Sequence, residues 1–201
     1  ITHVGGSIDF TADGLGSTTK IFITGQADGL IGPWATVNGG TALANYSSTL
    51  GVYAANLPVQ NLTALGPSTI TNNVGDAARI TSAGTSGGIA LANNPTAIAL
   101  LSQETATDAT VSFGGYTLVG PRVQILSGAS NLTLGSTAGD GTLTSSESAG
   151  DLVLANANAA SGTVLTVNAA IANNGSTTVS IDKMGTGDVV LAGPLSYSGT
   201  T

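Results

Sequence analysis

Very short apolar alternations separated by glycine constrain this chain more than any other feature. They are clearest near its end. Val179 and Ile181 alternate, Lys183 follows, and Gly185 and Gly187 make a turn. Val189 and Leu191 alternate again, Gly193 makes a second turn, and Tyr197, Gly199 and Thr201 fall at every second position. Two short strands joined by glycine turns do not bury a face on their own. They need copies of themselves to stack on, which predicts a solenoid.

The same residues carry a family resemblance. Residues 179–201 resemble the autotransporter-associated β-strand repeat: an apolar residue, Lys, Gly-x-Gly, an apolar alternation, Gly, then Tyr-x-Gly-x-Thr. Ile181, Lys183, Gly185, Gly187, Val189, Leu191, Gly193, Tyr197, Gly199 and Thr201 fall on it in register. Asp188 stands where Thr is usual, and Leu195 where Asn is usual. The stretch from Ile31 through Trp34 to Gly39 resembles a segment common near the start of long passengers of this family. The resemblance implies a secreted or surface-displayed bacterial protein folded as a right-handed parallel β-helix. It implies no catalytic activity.

Composition agrees with a narrow, closely stacked core. Charged residues make up 7% of the chain and aromatics 4%, so small aliphatics and alanine must fill the interior. The 29 glycines, beside frequent Asn, Thr and Ser, suit many tight turns. The charge is −7, and Lys20, Arg79, Arg122 and Lys183 lie far apart. Such spacing disfavours nucleic acid and anionic membrane surfaces, which need clustered positive charge. With no cysteine, there are no disulfides, thiolate metal sites or Cys nucleophiles. No apolar run reaches the length of a transmembrane helix. The chain has neither a starting Met nor a signal peptide, and reads as a processed product or a piece of something longer.

Strand candidates recur along one domain, 1–201. They include Lys20–Thr24, Ala78–Thr81, Gly88–Leu91, Ala109–Phe113, Arg122–Ile125, Asn131–Leu134, Asp151–Leu154 and Thr163–Val167. Alternation predicts inward side chains at Val111, Phe113, Leu132, Leu134, Leu152, Leu154, Leu165, Val167, Val179, Ile181, Val189 and Leu191. A Greek-key sandwich could use such strands, but their shortness and the glycine content favour the solenoid. At roughly 20–25 residues per coil the chain makes about eight to ten coils. The part up to about residue 67 is less regular. Ala12–Leu15 recurs as Ala27–Leu30, which suggests equivalent Asp-Gly turns on adjacent coils. Ala42–Pro67 reads as an excursion or a helical stretch, and Ala97–Glu104 as strand and turn.

Candidate chemistry is sparse. Some β-helices cleave acidic polysaccharides with clustered Asp, Ca²⁺ and an Arg base. Here Asp76 and Arg79 read as a surface pair, and Glu104 and Asp108 as a solvated loop. His3 is the only histidine and lies at a terminus, a poor place for a triad or zinc site. Asp13-Gly14 and Asp28-Gly29 read as plain turns rather than Ca²⁺ sites. Trp34 packs over the end of a core or stacks on a sugar. Asn45, Asn61, Asn131 and Asn174 begin formal glycosylation sequons, which chance supplies in an Asn/Thr-rich chain, and surface Ser and Thr are equal acceptors.

The expectation is a non-catalytic extracellular structural solenoid with no cofactor and no metal. It is either a surface-displayed passenger or a fibre-forming subunit that stacks head-to-tail through its ends. An adhesin for surface glycans and a polysaccharide-degrading enzyme are the alternatives. No polar cap is visible at the C-terminal coil, so a longer parent or another copy would complete that edge.

Overall fold

In a computed structural model the structure describes residues 6–146, 150–160 and 162–201. Among these the protein is all-β, with 22 strands and no helix. The chain divides into two compact units, Ile1–Asn56 and Leu57–Thr201.

The smaller unit holds β1 (Ile8–Phe10), β2 (Gly29–Leu30), β3 (Ala35–Val37), β4 (Ala42–Ser47) and β5 (Gly51–Ala54). Only β1 and β3 pair in parallel; β4 pairs antiparallel with β2, β3 and β5. Residues 42–54 are therefore a hairpin outside the three parallel sheets of the larger unit, and not a helix. Its turn closes at Gly51, where φ is +77° and a Cβ would lie 2.7 Å from the Ile21 carbonyl oxygen. The two Asp-Gly turns do not repeat one another on stacked coils. Gly29 joins an antiparallel ladder opposite Tyr46, whereas Gly14 heads a local turn whose carbonyl accepts from Ser17 and Thr19. Lys20–Thr24 forms no strand, and Phe22 is 57% exposed. Ile21 gives Val52 one backbone acceptor there, and one bond does not make a ladder.

The larger unit repeats a simple path. The chain lays down β6 (Val59–Leu65) and β7 (Ser68–Ile70), then returns with β8 (Ala77–Gly84), β9 (Ile89–Leu91) and β10 (Thr96–Ala97). It continues with β11 (Leu100–Gln103), β12 (Ala109–Ser112) and β13 (Thr117–Val119), then β14 (Arg122–Ile125), β15 (Leu132–Leu134) and β16 (Thr142–Thr144). Next come β17 (Asp151–Asn156), β18 (Val164–Val167) and β19 (Ala170–Ala172), and last β20 (Ser180–Met184), β21 (Asp188–Leu191) and β22 (Leu195–Ser196). Three parallel sheets result, in the orders β6-β8-β11-β14-β17-β20, β7-β9-β12-β15-β18-β21 and β10-β13-β16-β19-β22. From β8 onward each pass of the chain adds one strand to each sheet, the connectivity of a β-solenoid.

Register explains why the alternation is so strict. Ala109, Leu132, Leu165 and Val189 form one inward column, and Val111, Leu134, Val167 and Leu191 the next. A one-residue slip in any rung would turn its apolar pair outward. Each buried Leu contributes about 1.5–3 kcal/mol. The inward positions expected from alternation are buried from Val111 to Ile181, while Val189 and Leu191 on the last rung are only partly buried. The 97–104 segment is strand and turn, as its sequence suggests, with β11 fully buried.

Candidate functional site

Residues 179–201 supply β20, β21 and β22, the outermost strands of the three sheets on that side. Its residues acquire physical roles there. Ile181 stacks on Leu152, Val189 on Leu165 and Leu191 on Val167. Lys183 takes the register position beside Leu154, and its Nζ donates to the Gly185 carbonyl at 2.6 Å, closing the turn. Tyr197 packs partly buried against the core, and its hydroxyl bonds to that of Thr201.

The four glycines mark close approaches. At Gly185, φ is +76° and a Cβ would lie 2.1 Å from the Asn156 carbonyl oxygen. At Gly193 it would lie 2.2 Å from the Ala169 oxygen of the preceding rung. A Cβ at Gly187 would lie 2.4 Å from the Asn158 carbonyl oxygen and from the Asn156 side chain, and one at Gly199 2.3 Å from the Val179 oxygen. Any side chain at these corners would force adjacent rungs apart.

Residues 199–200 begin a further rung. Gly199 N–H donates to the Val179 carbonyl and Ile181 N–H to the Thr200 carbonyl. Beyond them the outer side of β21 and β22 has no strand partner among the described residues. Val190 and Leu195 there are 45% and 51% exposed. On the opposite side Leu62, Ala64 and Ile70 of the first rung are buried, while Val59 and Leu65 are 45% and 38% exposed.

The acidic candidates separate into structural tasks. Arg79 Nε pairs with Glu104 at 2.6 Å, joining β8 to the residue after β11. Arg79 thus has Glu104, not Asp76, as its ionic partner, and Glu104 is not a solvated loop acid. Asp76 is 8% exposed; one oxygen accepts from Gln60 Nε2 at 2.9 Å and the other has no hydrogen-bond partner. Asp108 accepts from the Ser130 hydroxyl and from both the backbone and side-chain N–H groups of Asn131, on the next rung. Asp140 reaches back one rung to the N–H groups of Phe113 and Gly115, and also takes Ser136 N–H. In the smaller unit Asp9 gathers Thr11, Thr36, Gly39 and Gly40, and Asp28 gathers Ser48.

These bonds set the charge behaviour. The Ser130 hydroxyl, then the Asn131 amide, holds the Asp108 carboxyl below its usual range against partial burial. Burial by itself would push Asp140 up, but N–H groups of Ser136, Phe113, Gly115 and Gly114 together hold it low. Burial likewise opposes Thr36, Thr11, Gly40 and Gly39 at Asp9, and the hydrogen bonds prevail.

Each basic residue has its own polar partner. Lys20 Nζ donates to the Thr49 carbonyl. Arg122, 4% exposed, donates through Nε to Gln124 Oε1, and Gln124 donates to the Ser102 hydroxyl. This buried polar line is not apparent in the sequence, where Arg122–Ile125 reads only as a strand. Gln103 and Asn156 escape a sequence reading for the inverse reason: they are polar residues at inward positions.

Trp34 is 7% exposed at the entry to β3, its indole against Gly32, which agrees with the packing reading. Asp13 offers its carbonyl to Thr19. His3 lies outside the described residues. Among those described, no three of His, Asp and Glu gather in a metal-holding group. The chain matches no known protein family, no curated protein and no solved structure.

Proposed function

We propose that this chain is a non-catalytic extracellular structural β-solenoid, displayed on a bacterial surface as a stiff spacer. Its larger unit winds right-handedly, the hand that parallel β crossovers strongly favour. About six coils over residues 57–201 give a stack of roughly 25 Å at the usual strand spacing. The expected eight to ten counted the antiparallel first unit as coils.

The observation that carries this reading is the stacking of three parallel ladders from short strands with few charges, their register shifted only at Leu62/Thr63 between β6 and β8. Such a stack resists bending because each coil is hydrogen-bonded to the one before it. The Asp108 and Asp140 carboxylates tie coil to coil. The outer side of β21 and β22, without a strand partner among the described residues, supports head-to-tail stacking with another copy there.

Electron micrographs of material taken from the native cell surface test this. Unbranched rods or filaments a few nanometres wide are expected. Compact globular particles, or recovery of the chain only from the cell interior, would overturn it.

A further inference from the structure

Of four formal sequons, the fold leaves one fit to carry a sugar. Asn45 is half-buried and its amide donates to the Tyr53 hydroxyl. The Asn131 amide donates to Asp108 while its oxygen accepts Val164 N–H, bridging rungs. Asn174 donates to the Ser145 carbonyl. Substituting any of these amide nitrogens would break a bond that positions a turn or a strand. Asn61 differs. Its side chain is exposed, carries no hydrogen bond, and stands within β6 between the buried Leu62 and the half-buried Gln60. Thr63, which completes the sequon, keeps a free-standing hydroxyl that accepts only from Ser82.

The position of Asn61 matters as much as its exposure. β6 is the outermost strand of its sheet, and Val59 and Leu65 on the same strand are 45% and 38% exposed. An exposed apolar outermost strand invites pairing with another chain unless something bulky or polar covers it. A hydrated sugar on Asn61 would do so.

We infer that Asn61 is an N-glycosylation site and that its glycan guards the β6 edge. The donor is a sugar activated as a diphosphate ester on a lipid carrier. The Asn61 amide nitrogen attacks the anomeric carbon, the C–O bond to the diphosphate breaks, and the amide proton passes to the transferase. The inference rests on the extracellular reading above, because it needs a compartment where such transfer occurs.

Site-resolved mass spectrometry of the full chain from its native source is the test. A mass excess is expected at Asn61, absent in Asn61→Gln and Thr63→Val and retained in Thr63→Ser. Light scattering should show Asn61→Gln associating at several-fold lower concentration than the native chain. An exported chain with bare Asn61, sugars on Asn45, Asn131 or Asn174, or sugars on Ser and Thr alone would overturn this inference and leave the extracellular reading intact. A chain found only inside the cell would overturn both. Equal association of Asn61→Gln and native chain would overturn the guarding role.

Discussion

Gln103 and Asn156 stand in one inward column, separated by Ile125, and perform the same task two rungs apart. Gln103 Nε2 donates to the carbonyls of Thr107 and Asn131; Asn156 Nδ2 donates to those of Thr163 and Asp188. In each case one carbonyl belongs to the residue's own coil and the other to the next. Each amide thereby fastens a corner between two sheets and sets the spacing of adjacent coils.

The two are not equal in cost. Asn156 Oδ1 accepts Asn158 N–H, whereas Gln103 Oε1 is buried without a partner. Replacing Asn156 by Leu leaves three backbone groups without their partner, and about 3 kcal/mol of stability should be lost. Replacing Gln103 by Met also removes the unsatisfied oxygen, so a loss of about 1–2 kcal/mol is expected. Urea denaturation of both variants checks the ordering.

Gly185→Ala should cost about 2–3 kcal/mol, because it combines a left-handed φ with overlap on the Asn156 backbone. Gly128 has φ +81° but open space within 4 Å of where a Cβ would lie, so Gly128→Ala should cost only about 1 kcal/mol. The difference between the two in urea midpoint isolates the close approach of the coils.

Acid should loosen the stack through Asp108 and Asp140. Both carboxyls are held below the ordinary aspartate value when folded. Their contribution is therefore fully present above the unfolded pKa and is lost as pH falls through the folded one. A urea midpoint that is flat from pH 7 to about 5 and declines below about 4 is expected. Asp108→Asn with Asp140→Asn should flatten the acid limb, and an unchanged slope in that double variant would contradict the assignment.

The Arg79–Glu104 pair should matter little to stability. Its side chains are 35% and 16% exposed, and a pair so placed is worth at most about 1 kcal/mol. A double-mutant cycle with Arg79→Met and Glu104→Gln, run at low and high salt, measures the coupling and its screening.

How much of this is legible in the sequence depends on distance along the chain. Inward residues such as Leu132 and Val167 are readable because alternation is local and each strand repeats it. The repeat glycines are readable as turns, but not as contacts, since Gly193 meets Ala169 of another rung. The tasks of Asp108 and Asp140 are hidden because their partners lie 22–27 positions away, a whole coil. Gln103 lies in a stretch that reads as strand and turn; only its register beside Ile80 and Ile125 reveals that it points inward. The first unit is least legible, because its antiparallel pairing breaks the period that the rest of the chain follows.

The inward residues Leu62 and Ile70 of the first rung are buried, whereas Leu191 and Leu195 on the last are half-open, and this gives the larger unit a direction. A rung whose inward side chains bury less apolar surface gives way sooner. Under heat, force or a passing protease, opening in the chain 1–201 should begin at β22 and β21 and run back through the coils one at a time. Amide-exchange protection should climb in the same order, so that residues 188–196 exchange before the strands stacked beneath them.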